Sequence, residues 1–236
     1  MKVVAIVQAR MGSKRLRAKS LMPIAGKALL ARVYENIQTI DFIDKIIIAT
    51  TTLPADDPLV ASARSYPATV FRGSALNLLD RFYQASLDLD ENDTIMRITA
   101  DNPFINIEAT RKLYDLHVAE NRDYSHVENL SHVVAEFIRV GALREVMQNN
   151  SVDDFDREHV TPYFRRHRSL FNVLSVPQDY CGIRHDLDKY LTVDTLHELE
   201  TIERIIIDNM VDEIGLNFST IYEWLDENIE PESEQG

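Results

Sequence analysis

The chain has 236 residues, of which 45% are hydrophobic and 27% charged, and its formal net charge is −13. This composition is that of a folded globular protein, and the acidic balance argues against broad non-specific nucleic-acid binding. The single cysteine, Cys181, cannot form an internal disulfide, and no apolar run approaches the ~20 residues of a membrane span. We therefore expect a soluble cytoplasmic protein with no nucleic-acid and no membrane partner.

The first half of the chain alternates predicted strands with predicted helices. Short apolar runs rich in β-branched residues predict strands at residues 2–8, 45–50, 68–71 and 93–99. Apolar residues at helical spacing predict helices at residues 28–39, 56–66, 75–89 and 106–120, with Leu76, Leu79, Phe82, Tyr83 and Leu87 on one stripe of the third. This alternation is typical of an α/β fold with a mostly parallel sheet and helices on both faces. Such sheets bind ligands at the carboxyl ends of their strands, so we expect a site after the first and fourth strands.

The second half of the chain is less regular. We predict strands at 124–129, 133–140, 171–176 and 190–193, a broken helix at 156–167, and closing helices at 195–209 and 218–229. No linker separates two domains. The predicted organisation is therefore a single domain over residues 1–230, with residues 121–180 as a small irregular β-containing insertion and residues 231–236 as a disordered tail.

The basic loop, ARMGSKRLRAKS at residues 9–20, directly follows the first predicted strand. Eight basic residues and no acidic residue lie between Met1 and Tyr34. Backbone N–H groups in such a loop can cradle phosphates, and its cations can offset their charge. A Walker-type loop needs glycines six residues and one residue before its lysine, but Ser13 and Ala18 stand there relative to Lys19. The loop is therefore a candidate anion site of another kind, and a solvated basic face is the alternative.

Six stretches carry a resemblance to a known family: IVQARMGSKRL, IIIATTTLPADDPLV, VFRGSALNLLDRFYQA, RITADNPFI, REHVTPYFRRH and LTVDTLHELE. They occur in the order found in the sugar-nucleotide cytidylyltransferases. This family includes the acylneuraminate and ulosonate CMP-sugar synthetases and the branch named for the spore-coat polysaccharide biosynthesis protein SpsF. The resemblance covers residues 1 to about 205 and implies a Rossmann-like nucleotidyltransferase fold.

The resemblance also implies a reaction and a set of site residues. CTP and an acidic, ulosonic-type sugar would give a CMP-sugar and pyrophosphate with Mg²⁺, for surface-polysaccharide synthesis. It implies catalytic phosphate contacts by Arg10, Lys19 and Arg15. The implied nucleotide-binding residues are Gln8, Ala9, Gly12, Ser13, Arg72, Thr99 and Ala100, and the implied metal-binding residues are Asp101 and Asp194. Residues 121–180 would then carry sugar-side contacts and the contacts of a homodimer.

The candidate acidic and histidine residues have alternative interpretations. Asp101 could be a turn residue before Asn102-Pro103, and Asp194 could be the N-cap of the helix at 195–209. Together with the basic loop and the family order, metal binding is the interpretation we favour, and without metal the two carboxylates are expected to repel. For Glu158 and His159, helix packing or subunit contact is favoured over an acid/base role.

The sequence departs from the family pattern at two places. Arg17-Ala18 stands where the family often has Pro-Gly, and SHVVAEF keeps Glu136 but lacks the family's Gly-Leu-Asp run. The loop conformation and the identity of the sugar are therefore open. Two other functions also stay open. One is a nucleotide-sugar glycosyltransferase, whose Asp-x-Asp motif could be DLD at 88–90 or 186–188, and the other is a non-catalytic nucleotide-binding protein.

Overall fold

The computed structural model describes residues 1–128, 133–177, 179, 182–209 and 217–229. Cys181 and the predicted tail at 231–236 lie outside these residues. The strands are β1 (Val3–Gln8), β2 (Pro23–Ile24), β3 (Lys27–Ala28), β4 (Lys45–Thr51), β5 (Thr69–Gly73), β6 (Thr94–Thr99), β7 (Tyr124–Val127), β8 (Glu136–Arg139) and β9 (Val173–Val176). The helices are α1 (Leu29–Ile37), α2 (Asp57–Ala63), α3 (Leu78–Ala85), α4 (Ile107–Ala119), α5 (Val140–Met147), α6 (Asp154–His159), α7 (Pro162–Arg166), α8 (His185–Asp188), α9 (Leu196–Asp208) and α10 (Phe218–Asn228).

Seven strands form one sheet in the order β5-β4-β1-β6-β8-β7-β9. The first four strands in that order run parallel, β8 is antiparallel to both β6 and β7, and β9 runs parallel to β7. The predicted mostly parallel sheet is confirmed. β7, β8 and β9 lie in the segment predicted as an insertion, and they continue this sheet.

Both faces of the sheet are covered by helices. Val3, Ala5 and Val7 of β1 pack in a core with residues of α1, α4 and α9. Val4 and Ile6, which point to the opposite face, pack in a second core with residues of α3, α5 and α7. β1 is therefore buried on both sides, as its unbroken apolar run indicates. No helix among the described residues is long and apolar enough to cross a bilayer.

One predicted strand is absent, one helix was not predicted, and one predicted helix is shorter than expected. The segment YLTV at 190–193 contains a 3₁₀ turn (Lys189–Leu191) and no strand. Leu191 and Val193 are fully buried, so their apolar pattern reports burial and not strand pairing. Helix α5 was not predicted, because its apolar residues continue the run of the preceding strand. Helix α3 begins at Leu78 behind the N-cap Asn77, which leaves Leu76 outside the helix and 91% exposed.

The carboxyl ends of β1 and β6 lie side by side. Gln8 pairs with Thr99 in the last register position, and the N–H of Ala100 donates to the carbonyl of Gln8 at 3.1 Å. The N–H of Ala9 donates in turn to the carbonyl of Ala49, two residues before the end of β4, also at 3.1 Å. The basic loop and the segment after β6 therefore begin at one edge of the sheet.

Candidate active site

The carboxyl edge of the sheet opens onto a cavity of about 650 Å³. All of the predicted site residues except Arg72 line this cavity. They are Gln8, Ala9, Arg10, Gly12, Ser13, Arg15, Lys19, Thr99, Ala100, Asp101 and Asp194. Lys14, Arg81, Glu158 and His159 also line it, although the sequence did not single out Lys14 or Arg81 and favoured packing for the other two. The fold thus gathers basic and acidic side chains from distant segments at one place.

The start of the basic loop is anchored by a buried carboxylate, Asp56. Its Oδ1 accepts the N–H of Met11 at 2.8 Å, and its Oδ2 accepts the Thr50 hydroxyl at 2.9 Å and the Thr51 N–H at 3.1 Å. Burial acts to raise the pKa of Asp56, but the hydrogen bonds from Thr51, Met11 and Thr50 outweigh it and lower the pKa. Asp56 therefore stays ionised and ties the loop to the end of β4.

The conformation of Ala18 determines the direction of the next turn. Ala18 has φ 59° and ψ 18°, a left-handed conformation that favours glycine. Its N–H donates to the carbonyl of Met11 at 3.0 Å, which closes the loop, and its carbonyl accepts the N–H of Leu21. The alanine therefore adopts the backbone conformation that suits the glycine of the family pattern, and the following 3₁₀ turn carries Lys19 into the cavity.

Lys19 joins the basic loop to two aspartates. Its ammonium donates to the carbonyl of Val193 at 2.7 Å, to Asp194 Oδ1 at 2.9 Å and to Asp101 Oδ2 at 3.3 Å. Arg15 Nη2 donates to Asp194 Oδ2 at 2.6 Å. The two carboxylates therefore meet at one ammonium group, and these cations offset the repulsion expected from the sequence.

The structural alternative for Asp194 is wrong, whereas Asp101 does lie in the turn that follows β6. The N-cap of α9 is Thr195, whose side chain accepts the N–H of Glu198 in a capping box, so Asp194 is free of that role. Asn102 makes the turn contact after β6, because its Oδ1 accepts the N–H of Phe104 at 2.7 Å. Asp194 is held at the sheet edge although no strand precedes it, since the N–H of Val193 donates to the carbonyl of Asp101 at 2.8 Å.

The aspartate pair has the chemistry of a partial divalent-cation site. Asp101 and Asp194 are each about one-fifth exposed toward the cavity. Mg²⁺ is commonly bound by one or two carboxylates together with phosphate oxygens and water. No group of three or more His, Cys, Asp or Glu able to hold a metal ion occurs among the described residues. The two aspartates thus fit such an ion only if a substrate supplies further oxygen ligands.

Arg81 is a cavity cation that the sequence analysis missed. Its Nε and Nη2 donate to the carbonyl of Ser74 at 3.0 and 2.6 Å, and the residue is almost fully buried. Burial and, to a smaller extent, the charge of Arg10 lower the pKa of Arg81 to about 10, although the charge of Asp56 acts to raise it. Two guanidinium groups near each other in one cavity favour an anionic ligand. The N-cap Asn77 places Arg81 in the first turn of α3, but no local pattern in the sequence marks Arg81 as a cavity residue.

Arg72 is the predicted site residue that does not line the cavity. Its Nε donates to the carbonyl of Thr51 and its Nη2 to that of Leu53, both at 2.9 Å, and its Nη1 pairs with Asp57 at 2.7 Å. These contacts brace the segment between β4 and α2, which also contains Asp56. A nucleotide contact by Arg72 stays a prediction.

The Asp-x-Asp alternative lacks support from the cavity. Neither DLD run, at 88–90 or at 186–188, contributes a residue to the lining. Asp186 is paired with Arg184 at 2.8 Å, and Asp188 accepts the hydroxyl of Tyr222 at 3.3 Å. The second run is therefore engaged by residues that lie outside the cavity.

Comparison with known proteins identifies the family. A family model described as cytidylyltransferase matches residues 4–221. An uncharacterized protein of Methanocaldococcus jannaschii is 34% identical over 97% of this chain and 92% of its own length. The spore coat polysaccharide biosynthesis protein SpsF of Bacillus subtilis is 30% identical over 86% of this chain and 85% of its own. An 8-amino-3,8-dideoxy-manno-octulosonate cytidylyltransferase of Shewanella frigidimarina is 29% identical over 72% and 67%.

Solved structures agree in fold. A cytidylyltransferase from Leptospira borgpetersenii serovar Hardjo-bovis has a TM-score of 0.83 and 24% identity, covering 97% of this chain and 95% of that one. A CMP:2-keto-3-deoxy-manno-octonic acid synthetase complexed with CTP has a TM-score of 0.69 and 14% identity, covering 89% and 100%. Since the family model spans nearly the whole chain and the sheet agrees with these structures, the protein belongs to the cytidylyltransferase family of nucleotidyltransferase enzymes.

Proposed function

We propose that the protein transfers the cytidylyl group of CTP to a hydroxyl of an acidic, ulosonic-type sugar. The hydroxyl oxygen of the sugar loses its proton to solvent and bonds to the α-phosphorus of CTP. The bond from that phosphorus to the bridging oxygen breaks, and pyrophosphate leaves with the electron pair of that bond. The CMP-sugar would serve surface-polysaccharide synthesis. The names of the SpsF and octulosonate cytidylyltransferase relatives support the class of sugar and of pathway.

The observation that carries the proposal is the contact of Lys19 with both aspartates at the mouth of the basic loop. Phosphoryl-type transfer needs positioning and neutralisation of charge on the triphosphate. Five basic residues line the cavity, against three carboxylates, in a protein whose net charge is −13. An excess of cations inside an anionic protein is the arrangement expected for binding a polyanion such as CTP.

Individual residues have distinct parts in this proposal. Arg10, Arg15 and Lys19 contact the phosphates, and the backbone N–H groups of Gly12 and Ser13 add further donors. Gln8, Ala9, Thr99 and Ala100 form the floor of the nucleotide site at the ends of β1 and β6. These groups are held before substrate arrives, because Asp56 and the Ala18 turn fix the loop, so little reorganisation accompanies binding.

Asp101 and Asp194 would hold Mg²⁺, together with oxygens of the triphosphate. A bound Mg²⁺ would add positive charge where the phosphates lie. Their shared contact with Lys19 supports this assignment, because a cation already lies between the two carboxylates. The predicted homodimer, through residues 121–180, belongs to the same proposal and is checked by sedimentation equilibrium.

A pyrophosphate-release screen tests the function. CTP, UTP, ATP and GTP are each assayed with Mg²⁺ against 3-deoxy-manno-octulosonate and an acylneuraminate. We expect release with CTP and one sugar acid, in excess of any release with the other nucleotides. Lys19→Met is compared with the control variant Lys45→Met. Lys45 is exposed at the start of β4, and the cavity lies at the carboxyl ends of the strands. Equal release with all four nucleotides, or no release with CTP and any sugar acid, would contradict the proposal.

A further inference from the structure

The hairpin that follows the basic loop has a strained turn. β2 and β3 pair up to Ile24 and Lys27, which leaves Ala25 and Gly26 as a two-residue turn. Both turn residues have positive φ, 43° at Ala25 and 82° at Gly26. Hairpin turns with this pattern favour Asn-Gly or Gly-Gly, and an alanine in the left-handed region is unfavourable. Such strain persists only where the surrounding structure imposes it.

Two helices hold this turn through their side chains. From α1, Arg32 Nε donates to the carbonyl of Ile24 at 2.7 Å, and its Nη2 donates to that of Ala25 at 2.9 Å. From α9, Glu203 Oε1 accepts the N–H of Ala25 at 2.7 Å. Arg32 is fully buried and Glu203 is partly buried. The turn is therefore fastened to α9 by a directional contact.

The segments that carry Ala25 and Glu203 also meet at the cavity. Ala25 follows Lys19 by six residues, and Glu203 follows Asp194 by nine. The ammonium of Lys19 donates to Asp194 Oδ1 at 2.9 Å. Two contacts thus join one pair of segments, the first at the candidate site and the second outside it.

Local hydrogen bonds stiffen the chain between these two contacts. In the first segment, the N–H of Met22 donates to the carbonyl of Lys19 and the N–H of Leu29 to that of Met22, both at 3.0 Å. In the second segment, Glu198 Oε2 accepts the N–H of Asp194 at 2.6 Å, and the unbroken helix α9 follows. A displacement of α9 along the hairpin is therefore transmitted to Asp194.

Apolar packing limits such a displacement less sharply than a hydrogen bond does. The buried face of α9 consists of Leu199, Ile202, Ile205 and Ile206, which pack in the core on one side of the sheet. The hydrophobic effect is non-directional, whereas a hydrogen bond weakens steeply with distance and angle. The contact from Glu203 to the turn supplies that directional restraint.

We propose that Glu203 is a positioning residue for the proposed metal-binding pair. By accepting the N–H of Ala25, it sets the position of α9 and so keeps Asp194 beside Lys19 and Asp101. The inference rests on the proposed function. Because Glu203 does not line the cavity, it acts only through the residues that do.

The dependence of CTP binding on Mg²⁺ tests this role. Glu203→Met removes the acceptor and keeps a side chain of similar length, whereas Glu203→Gln keeps an oxygen that can accept the same N–H. Calorimetry without sugar gives the Mg²⁺ concentration at which CTP binding is half-maximal. We expect Glu203→Met to raise this concentration about threefold to tenfold, and Glu203→Gln to stay within about twofold of wild type. Equal Mg²⁺ requirements in the two variants would overturn the inference.

A second substitution separates positioning from a loss of stability. Ala25→Gly relieves the strain of the turn and so offsets the destabilisation by Glu203→Met, but it does not restore the lost contact. In the double variant the unfolding temperature should recover, while the Mg²⁺ requirement should stay raised. If the Mg²⁺ requirement recovers together with the unfolding temperature, Glu203 acts through stability alone and the positioning role is refuted.

A double-mutant cycle gives a readout that does not depend on the proposed function. Lys19→Met and Glu203→Met are combined, and the losses in the free energy of unfolding are compared by urea denaturation. If both contacts hold the same two segments together, the combined loss differs from the sum of the single losses, whereas independent contacts give additive losses. Additive losses overturn the inference. Absence of CTP binding and of pyrophosphate release in the wild-type enzyme counts against the proposed function, and coupled losses support the link between the two contacts even then.

Discussion

Replacing Lys19 with methionine removes one ammonium group and keeps an unbranched side chain of similar length. The Lys19 side chain is 12% exposed, and its ammonium contacts two carboxylates and one carbonyl. Two unit charges 4 Å apart interact by about 4 kcal/mol at an effective dielectric of ~20, and desolvation offsets much of this. Removing one partner costs about 1 kcal/mol or less for an exposed pair and about 3–5 kcal/mol for a buried pair. For this partly buried cluster we expect the free energy of unfolding to fall by about 2 kcal/mol.

Urea denaturation measures this loss, and Lys14→Met is the control. Lys14 lines the same cavity but makes no ion pair with any described residue, so its replacement should change stability by less than about 0.5 kcal/mol. Mg²⁺ should restore part of the stability of Lys19→Met, since a cation again separates the carboxylates. Pyrophosphate release should fall by about 10²–10³-fold, as expected for a lost electrostatic contact. Equal stability of the two variants, or wild-type turnover in Lys19→Met, would refute the reasoning.

Asp194→Asn should abolish Mg²⁺-dependent pyrophosphate release and lower the free energy of unfolding by about 1 kcal/mol, because it loses ion pairs; full activity in the assay would contradict this. Ala18→Gly should raise that free energy by about 0.5–1 kcal/mol, and Gly26→Ala should lower it by about 1 kcal/mol. Gly26 has φ 82°, and no atom lies within 4 Å of an added Cβ. A lower free energy of unfolding for Gly26→Ala in urea titrations would therefore come from the backbone conformation and not from a steric clash. Burial lowers the pKa of His117 from 6.5 to about 4. The contribution of neutral His117 to the free energy of unfolding is therefore complete above pH 6.5 and is lost as the pH falls toward 4. Burial acts to raise the pKa of Glu136, but the charges of Arg97 and Arg165 outweigh it and lower the pKa from 4.5 to about 2. The contribution of Glu136 to stability is lost as the pH falls from about 4.5 to 2. Thermal unfolding should therefore show that His117→Gln removes the pH dependence of stability in the first range and that Glu136→Gln removes it in the second.

The sheet could be predicted because its signal is local. In the parallel half, β1, β4 and β6 are short buried runs, while β5 at the sheet edge is only partly buried. The edge at which the site forms follows from the strand direction alone. The segment at 190–193 shows the limit of this reasoning. Buried apolar residues indicate a strand only where a neighbouring strand is free to pair. Within the described part of the chain, the one backbone–backbone hydrogen bond of Val193 runs from its N–H to the carbonyl of Asp101.

The site residues found from the sequence are those that occur in recognisable stretches. Asp56 and Arg81 were missed because their importance depends on contacts that no local pattern reveals. Asp56 acts through the N–H of Met11, 45 residues away, and Arg81 matters because burial brings it near Arg10. In the sequence, Glu136 stood out only because it lies in a stretch that departs from the family pattern. Its role in a buried charge cluster could not be predicted, since its two arginine partners, Arg97 and Arg165, come from β6 and α7.

The contact between Lys19 and Asp194 spans 175 residues, which has a consequence for the order of events during synthesis. At ~5–20 residues per second, Asp194 is added roughly 9 to 35 seconds after Lys19. During that interval β1, β4, β5 and β6 are complete and can pair, but the ammonium of Lys19 has only Asp101 as its acidic partner. The nascent chain can therefore pair these four strands long before both aspartates can meet at Lys19, so the proposed metal site can form only after residue 194 has been synthesised.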